Sequence, residues 1–364
     1  MRVLLVGFAK IKYMPYLRFY LESIPKGNEV HVIYWNRDCK EEDLSHLGGV
    51  TLHEFLRPQD DHGSRLGKVL AFRAFRRFAE GVIASLDFDL VICLHTFPAV
   101  LLRRTLLGSF KGRYIFDYRD STYERFAPFR RIVSRLVSGS RYTFVSSDGF
   151  RRLLPDGENV ITSHNILMDS LNHRDAALGA EKSERIRIAF WGFIRGERVN
   201  RALIDRLGGD SRFELHYYGK EQRVTELLRA HARERKKDNV YFHGEYCARD
   251  RYEFVGRTDI IHNVFDDGNM MIAMSNKYYD GAIFRLPQLT MQGSFMGELV
   301  RSAGIGLAVD PYSENLGDVI YDYYTALRQD ELRAACDKEV ERVISEYEQG
   351  SRAVARLLGE EENG

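Results

Sequence analysis

Residues 275–290 read SNKYYDGAIFRLPQLT, a set of types suited to holding a phosphorylated ligand. A helix opening near Tyr278 would put Asn276 and Lys277 at its N-terminus, where free N–H groups and the dipole favour an anion. Asp280, three or four residues on, would face the same entrance and accept from paired ribose or sugar hydroxyls. The same residues also make a capped surface helix, with Asn276 as N-cap and Asp280 complementing the dipole. A second set is FWGFIRGER, 190–198. There a strand ends at Gly192, where backbone can approach an anion, and Arg195 and Arg198 follow within a turn to hold a diphosphate. The alternative is a strand-ending glycine with two solvent-facing arginines. Neither this loop nor VGFAK near the N-terminus is G-x-G-x-x-G, so a dinucleotide fingerprint is absent from both halves.

Further candidates end apolar runs in the first half. His95 closes LVICLH, and Asp117, Arg119 and Asp120 follow RYIF. Strand carboxyl ends are where open α/β sheets put ligands. His95 also reads as a satisfied core histidine, and Asp117 with Arg119 as an internal ion pair; Asp120 is the choice for a hydroxyl contact or base. No Ser-His-Asp set is marked. The string DFD at 87–89 precedes a strand rather than ending one, and Cys39, Cys93, Cys247 and Cys336 are scattered, with no C-x-x-C pair and no His cluster at ligand spacing. No metal and no cofactor is expected, and the cysteines read as free thiols in a reducing compartment.

The elements that must position these groups alternate. RVLLVG (2–7), EVHVIYW (29–35), LVICLH (90–95), RYIFDY (113–118), RYTFVSS (141–147) and NVITSHN (159–165) suit buried parallel strands, with helix-like segments at 12–23, 71–86, 98–107 and 128–139. After the aperiodic RDAALGAEKSER (174–185) the alternation restarts with RIRIAFWG, FELHYYG, NVYFHG, DIIHNVF, LPQLTM and GIGLAVD. That restart predicts an α/β chain of two tandem Rossmann-like domains facing a central cleft. The first spans 1–164, a linker 165–185 and the second 186–345, with a helix or pair of helices within 330–358 and a tail over 346–364.

The chain has 364 residues, long enough for two cores, and is 44% hydrophobic and 29% charged. Its net charge of +1 conceals an asymmetry: residues 1–164 hold 25 Lys+Arg against 18 Asp+Glu, and the remainder 28 against 34. The basic half should face something anionic. Two amphipathic segments carry much of that charge, one with Arg73, Arg76 and Arg77 opposite an apolar stripe, the other with Arg130, Arg131 and Arg135. Such a patch would hold the protein at an anionic membrane surface, each cation contributing about 1 kcal/mol. Nucleic acid is the competing anion, but no recognised binding motif or stacking array is present. The first residues, MRVLLVGFAKIKY, are too short an apolar run for a secretory signal, and no window approaches a membrane span. A cytoplasmic protein, peripheral at the inner face of the membrane, is expected.

SNKYYDGAIFRLPQLTMQGSFMGELVRSAGIGLAVDP resembles the donor-site segment of GT-B glycosyltransferases, in particular the retaining family-4-like enzymes of capsule and exopolysaccharide synthesis. The shared features are Asn-Lys, an acidic residue seven before a proline, a strand and a G-hydrophobic-G turn. FDYRDS (116–121), VSSDGFRRLLP (145–155), SHNI (163–166) and AFWGFIRG are similar to other segments of the group, so the likeness runs from about residue 1 to 345. It implies a nucleotide diphosphate sugar on the second domain, with Gly192, Arg195, Asn276 and Lys277 at the diphosphate and Asp280 at the ribose. It further implies a glycan or lipid-linked oligosaccharide acceptor on the first domain near His95, Asp117, Arg119 and Asp120, and retaining, metal-independent transfer. Position 272 is isoleucine where better-known members carry a second glutamate. A non-catalytic partner that kept the fold, or a GT-B nucleotide-sugar epimerase, stands as the alternative.

Overall fold

The computed structural model describes residues 1–59, 64–176, 183–220, 222–247 and 250–359. The chain divides into two compact units, the first made of residues 1–165 and the end of the chain from Ser345, the second of Ile166–Ile344. The expected linker at 165–185 is partly within the second unit, and its residues 177–182 lie outside the described ones, as do 360–364 of the expected tail.

The first unit is a parallel sheet of β1 (Arg2–Val6), β2 (Glu29–Asn36), β3 (Val50–Leu56), β4 (Leu90–Leu94), β5 (Tyr114–Tyr118), β6 (Tyr142–Val145) and β7 (Val160–Thr162), in the order β3-β2-β1-β4-β5-β6-β7. Its helices are α1 (Leu17–Ser23), α2 (Arg65–Ser85), α3 (Thr96–Leu101), α4 (Arg103–Leu107) and α5 (Ala127–Gly139). Parallel strands need crossovers, and these bury both faces; β4 and β5 are buried at every position. The expected strands are all present, and β3 is an addition. VTLHEFL, at the sheet's edge, mixes half-buried with exposed positions and is broken by His53 and Glu54, so it lacks the continuous apolar run of its neighbours.

The second unit repeats the plan. Strands β8 (Ile186–Trp191), β9 (Phe213–Tyr218), β10 (Val240–Gly244), β11 (Ile260–Asn263), β12 (Gln288–Met291) and β13 (Gly306–Val309) order as β10-β9-β8-β11-β12-β13. The helices are α6 (Glu197–Leu207), α7 (Arg223–Glu234), α8 (Arg251–Val255), α9 (Asn276–Ile283), α10 (Phe295–Ala303), α11 (Leu316–Ala326) and α12 (Gln329–Leu357). Gly281 lets α9 lie directly on β12, since a Cβ there would fall 2.6 Å from Cδ of Gln288. Helix α12 is single and begins in the second unit. Its last turns supply Ala353 and Val354 to the first unit's core beside Leu5, Ile92 and Phe144, and Leu358 follows directly after it. Gly350 permits that contact, because a Cβ would stand 3.1 Å from Phe144 and 3.2 Å from Phe19.

The outer strand pairs of both sheets carry one polar device. In the first, His31 on β2 bonds His53 on β3 at 2.9 Å and Glu29 at 2.8 Å. In the second, His216 on β9 bonds His243 on β10 at 3.0 Å and Glu214 at 3.3 Å.

Candidate functional site

Each sheet reverses direction of strand order beside its first strand, and crevices at strand carboxyl ends form at such switch points. In the second unit the switch lies between β8 and β11. Strand β8 ends at Gly192, with φ +111°, whose N–H donates to Tyr218 O at 2.9 Å. A Cβ on Gly219 would fall 2.0 Å from Gly192 O, so two glycines let the loop cross the end of β9. The loop runs to Gly196, at φ +76°, which caps α6 without a side-chain hydrogen bond to its first N–H groups.

A chain of buried polar groups fixes this loop. Asn200 Nδ2 donates to the carbonyls of Arg195 and Gly196, both at 2.9 Å, and its Oδ1 accepts from His262 Nε2 at 3.0 Å. His262 Nδ1 accepts from Val264 N–H at 3.0 Å. This pattern needs a neutral imidazole, and burial, aided by the nearby Lys277 charge, lowers its pKa to about 3.

Helix α9 brings Lys277 to the same crevice. The ammonium lies 4.1 Å from the Phe190 ring centroid and 4.9 Å from that of Phe265. It is 9% exposed and makes no hydrogen bond among the described residues. Burial, with repulsion from Arg195, lowers its pKa to about 7, partly opposed by Asp280. Arg195 also lies over Phe265, at 5.5 Å, and donates to Met270 Sδ at 3.2 Å. Asn276 is exposed in the first turn of α9, and the cap position belongs to Ser275, whose hydroxyl donates to Asn263 Oδ1 at 2.7 Å. Asn263 and Gln288 continue the buried amide chain back to Tyr278 O. Arg198, by contrast, is paired with Asp266 at 2.7 Å.

Asp280 requires a correction. It faces the interior of the second unit, 5% exposed, with Oδ2 accepting from Trp191 Nε1 at 3.1 Å and Oδ1 3.5 Å from Arg251 Nη1. Burial raises its pKa, and Arg251 and Trp191 oppose that. It therefore neither caps α9 nor opens toward the crevice as a ribose contact would need. The sequence placed the carboxylate on the right helix and on the wrong face.

In the first unit, His95 follows β4 with φ +100° and ψ 159°. That region is nearly restricted to glycine and costs a side-chain-bearing residue about 1–3 kcal/mol. The ring stacks on Phe97 at 5.8 Å, and its Nε2 lies 3.4 Å from Asp120 Oδ2. His95 and Asp120 are thus brought together at the ends of β4 and β5. Asp117 and Arg119 are not open to an acceptor, a second correction. Asp117 is fully buried and accepts from Arg119 Nε at 2.9 Å, while Arg119 lies over the Tyr16 ring and donates to Ser163 Oγ. They form an internal pair: Asp117 lies within β5, which is covered on both faces, whereas Asp120 lies two residues past the strand's end and is exposed.

Arg73, Arg77, Arg130 and Arg131 are exposed on α2 and α5, and Arg76 is half-buried against Glu80 at 3.5 Å. The same helices' first turns and approaches expose Leu66, Val69, Leu70, Tyr123 and Phe126, large apolar residues that charge patterning did not single out. No helix is long and apolar enough to cross a membrane, and no group of three or more His, Cys, Asp or Glu side chains is placed to hold a metal ion, both among the described residues. The four cysteines are free.

The groups that sequence reasoning missed, Asn200, His262, Asn263, Phe190 and Phe265, come from three elements, α6, β11 and β8, and the loop after β11. The polar pair His-Asn inside the apolar DIIHNVF was their one visible signal.

No family profile and no curated protein matches the chain. Solved structures do. A glycosyltransferase from Rickettsia africae ESF-5 aligns with a TM-score of 0.71 at 13% identity, over 100% of this chain and 99% of its own. Sucrose-phosphate synthase from Thermosynechococcus elongatus gives 0.73 at 12%, over 97% and 96%. Anabaena HepE in complex with UDP gives 0.68 at 14%, over 97% and 99%. The likeness spans both units, and the architecture of two doubly wound parallel sheets in tandem is GT-B.

Proposed function

We propose that this chain is a glycosyltransferase that moves a sugar from a nucleotide diphosphate sugar to a hydroxyl of a glycan, in a retaining and metal-independent reaction. The observation that carries the reading is Lys277. A buried ammonium held between two aromatic rings, with no hydrogen-bonding acceptor among the described residues and with Arg195 and the N-terminus of α6 alongside, is arranged for an anion of high charge. Departure of a nucleoside diphosphate concentrates charge on its β-phosphate, and preorganised cations and N–H groups are what lower that barrier without a metal. Similarity to Anabaena HepE, solved in complex with UDP, supports a nucleotide ligand.

On the first unit His95 and Asp120 are the groups assigned to the acceptor hydroxyl. The strain at His95 supports a functional role for the imidazole. The arginines of α2 and α5, with the apolar residues beside them, support a peripheral position at an anionic membrane and a lipid-linked acceptor of a bacterial surface polysaccharide. Locked Asp280 and Ile272 favour one second reading, a GT-B-like partner that binds nucleotide and does not turn it over.

The test is a thermal-shift panel of UDP, GDP, CMP, ADP and dTDP, with EDTA and with magnesium, followed by donor hydrolysis assays. A nucleoside diphosphate that raises the melting temperature in EDTA, with its sugar conjugate slowly hydrolysed, is the expected result. Binding without hydrolysis or transfer selects the second reading, and no shift from any nucleotide rejects both.

A further inference from the structure

Lys277 sits where a permanently charged arginine would serve an anion equally well, and its surroundings are hostile to its own charge. The rings of Phe190 on β8 and Phe265 after β11 cover it, and both lack acceptor atoms. From the loop after β8 it meets Arg195, a like charge; from β11 it meets His262, whose Nε2–H is committed to Asn200. On its own helix Asp280 is the opposing charge, and that carboxylate is already shared between Trp191 and Arg251. Cation–π attraction from two rings replaces only part of the hydration that burial removes.

Resting on the reading of this crevice as a diphosphate site, we infer that nucleoside diphosphate binding is coupled to proton uptake at Lys277. The amine takes a proton from solvent as the phosphate oxygens arrive, and the resulting ammonium donates to them. Release of the nucleotide returns the proton. The ligand's charge supplies the counter-ion that the protein withholds, so Lys277 reaches full charge only in the complex. Its depressed pKa near neutrality agrees with this. A site built this way is sensitive to cytoplasmic pH on its alkaline side and binds its diphosphate product more weakly as pH rises.

Isothermal titration of the full chain with UDP, GDP, ADP and dTDP at pH 8, in buffers of different ionisation enthalpy, reads the proton directly. The terminal phosphate is already fully ionised at that pH, so uptake reports the protein. The expected slope is about one proton taken up per nucleotide, falling toward zero at pH 6, with affinity dropping up to about tenfold per pH unit above neutrality. Lys277→Arg should bind with no uptake and a flat pH profile. Wild-type binding that shows no buffer dependence at pH 8 overturns the inference and leaves the diphosphate site standing. Uptake that persists in Lys277→Arg and in Lys277→Met assigns the proton elsewhere and also overturns it. Absence of binding by all four nucleotides overturns the site reading itself.

Discussion

At the ends of β8 and β11 the polar groups are buried and hydrogen-bonded in series, from His262 through Asn200 to the loop carbonyls, with the cation Lys277 almost sealed. At the ends of β4 and β5 the pair that reaches solvent is loose: His95 Nε2 and Asp120 Oδ2 are 3.4 Å apart, with side chains 21% and 52% exposed. One topology thus supports a rigid crevice in the second unit and an adjustable pair in the first. Under the proposed function the difference has a use: a diphosphate is the same in every donor and rewards a fixed cradle, whereas a sugar hydroxyl must be met in varied settings. Each unit also hides a carboxylate–arginine pair, Asp280 with Arg251 and Asp117 with Arg119, which stabilises the walls and does not reach the openings.

The hidden pairs give the largest expected effect. Asp117→Ala and Asp280→Ala each strand a buried guanidinium and should destabilise by about 3–5 kcal/mol, read by chemical denaturation; a loss of nucleotide affinity without loss of stability in Asp280→Ala would restore a direct ligand role to that carboxylate. Lys277→Met should lower nucleoside diphosphate affinity about 100-fold by calorimetry while leaving or raising stability. The stability gain has a pH signature. Lys277 has a folded pKa near 7 against 10.5 unfolded, so the unfolded chain binds more protons between those values and this group's penalty is full below pH 7 and relieved as pH rises. The advantage of Lys277→Met over wild type should therefore shrink from pH 7 toward 10.

His95→Gly tests the other opening. It should raise stability by about 1 kcal/mol through relief of the positive φ, leave nucleotide affinity unchanged and cut turnover about 100-fold; unchanged turnover would make His95 a structural turn. The smallest effect is expected at the sheet edges. Burial lowers the pKa of His53, His216 and His243, so the unfolded chain binds more protons just below pH 6.5 and stability falls there with acid. His53→Phe and His243→Phe should each flatten that loss in acid melts, and a comparable flattening would show that the two edges work alike.

Twelve of the thirteen strands were legible as short apolar runs, most of them because parallel strands covered on both faces leave little room for polar residues. Being a half-wet edge did not by itself hide a strand, since β10 is one too and was read from NVYFHG; β3 escaped because His53 and Glu54 interrupt VTLHEFL. Gly192, Arg195 and Lys277 were singled out from types that suit an anion, and the structure gathers Arg195 and Lys277 at the Phe265 ring. Asp117 and Asp280 were misread for a common reason: local sequence reports that a carboxylate ends a strand or starts a helix, and facing depends on partners far along the chain, here Trp191 and Arg251 for Asp280. The service of Asn200 and His262 is equally nonlocal, since 62 residues separate the two.

Because the second unit is spliced between residues 165 and 345 of the first, the ribosome delivers the first unit's core in two instalments. Val3, Leu5 and Ile92 emerge early, while Val354 and Leu358, which pack in the same cluster, follow only after a whole further domain has been synthesised. The nascent first unit must wait with an apolar face uncovered, the condition under which chaperones bind and aggregation competes. A stop codon near 345 would thus spare the second unit and harm the one it does not truncate at its start.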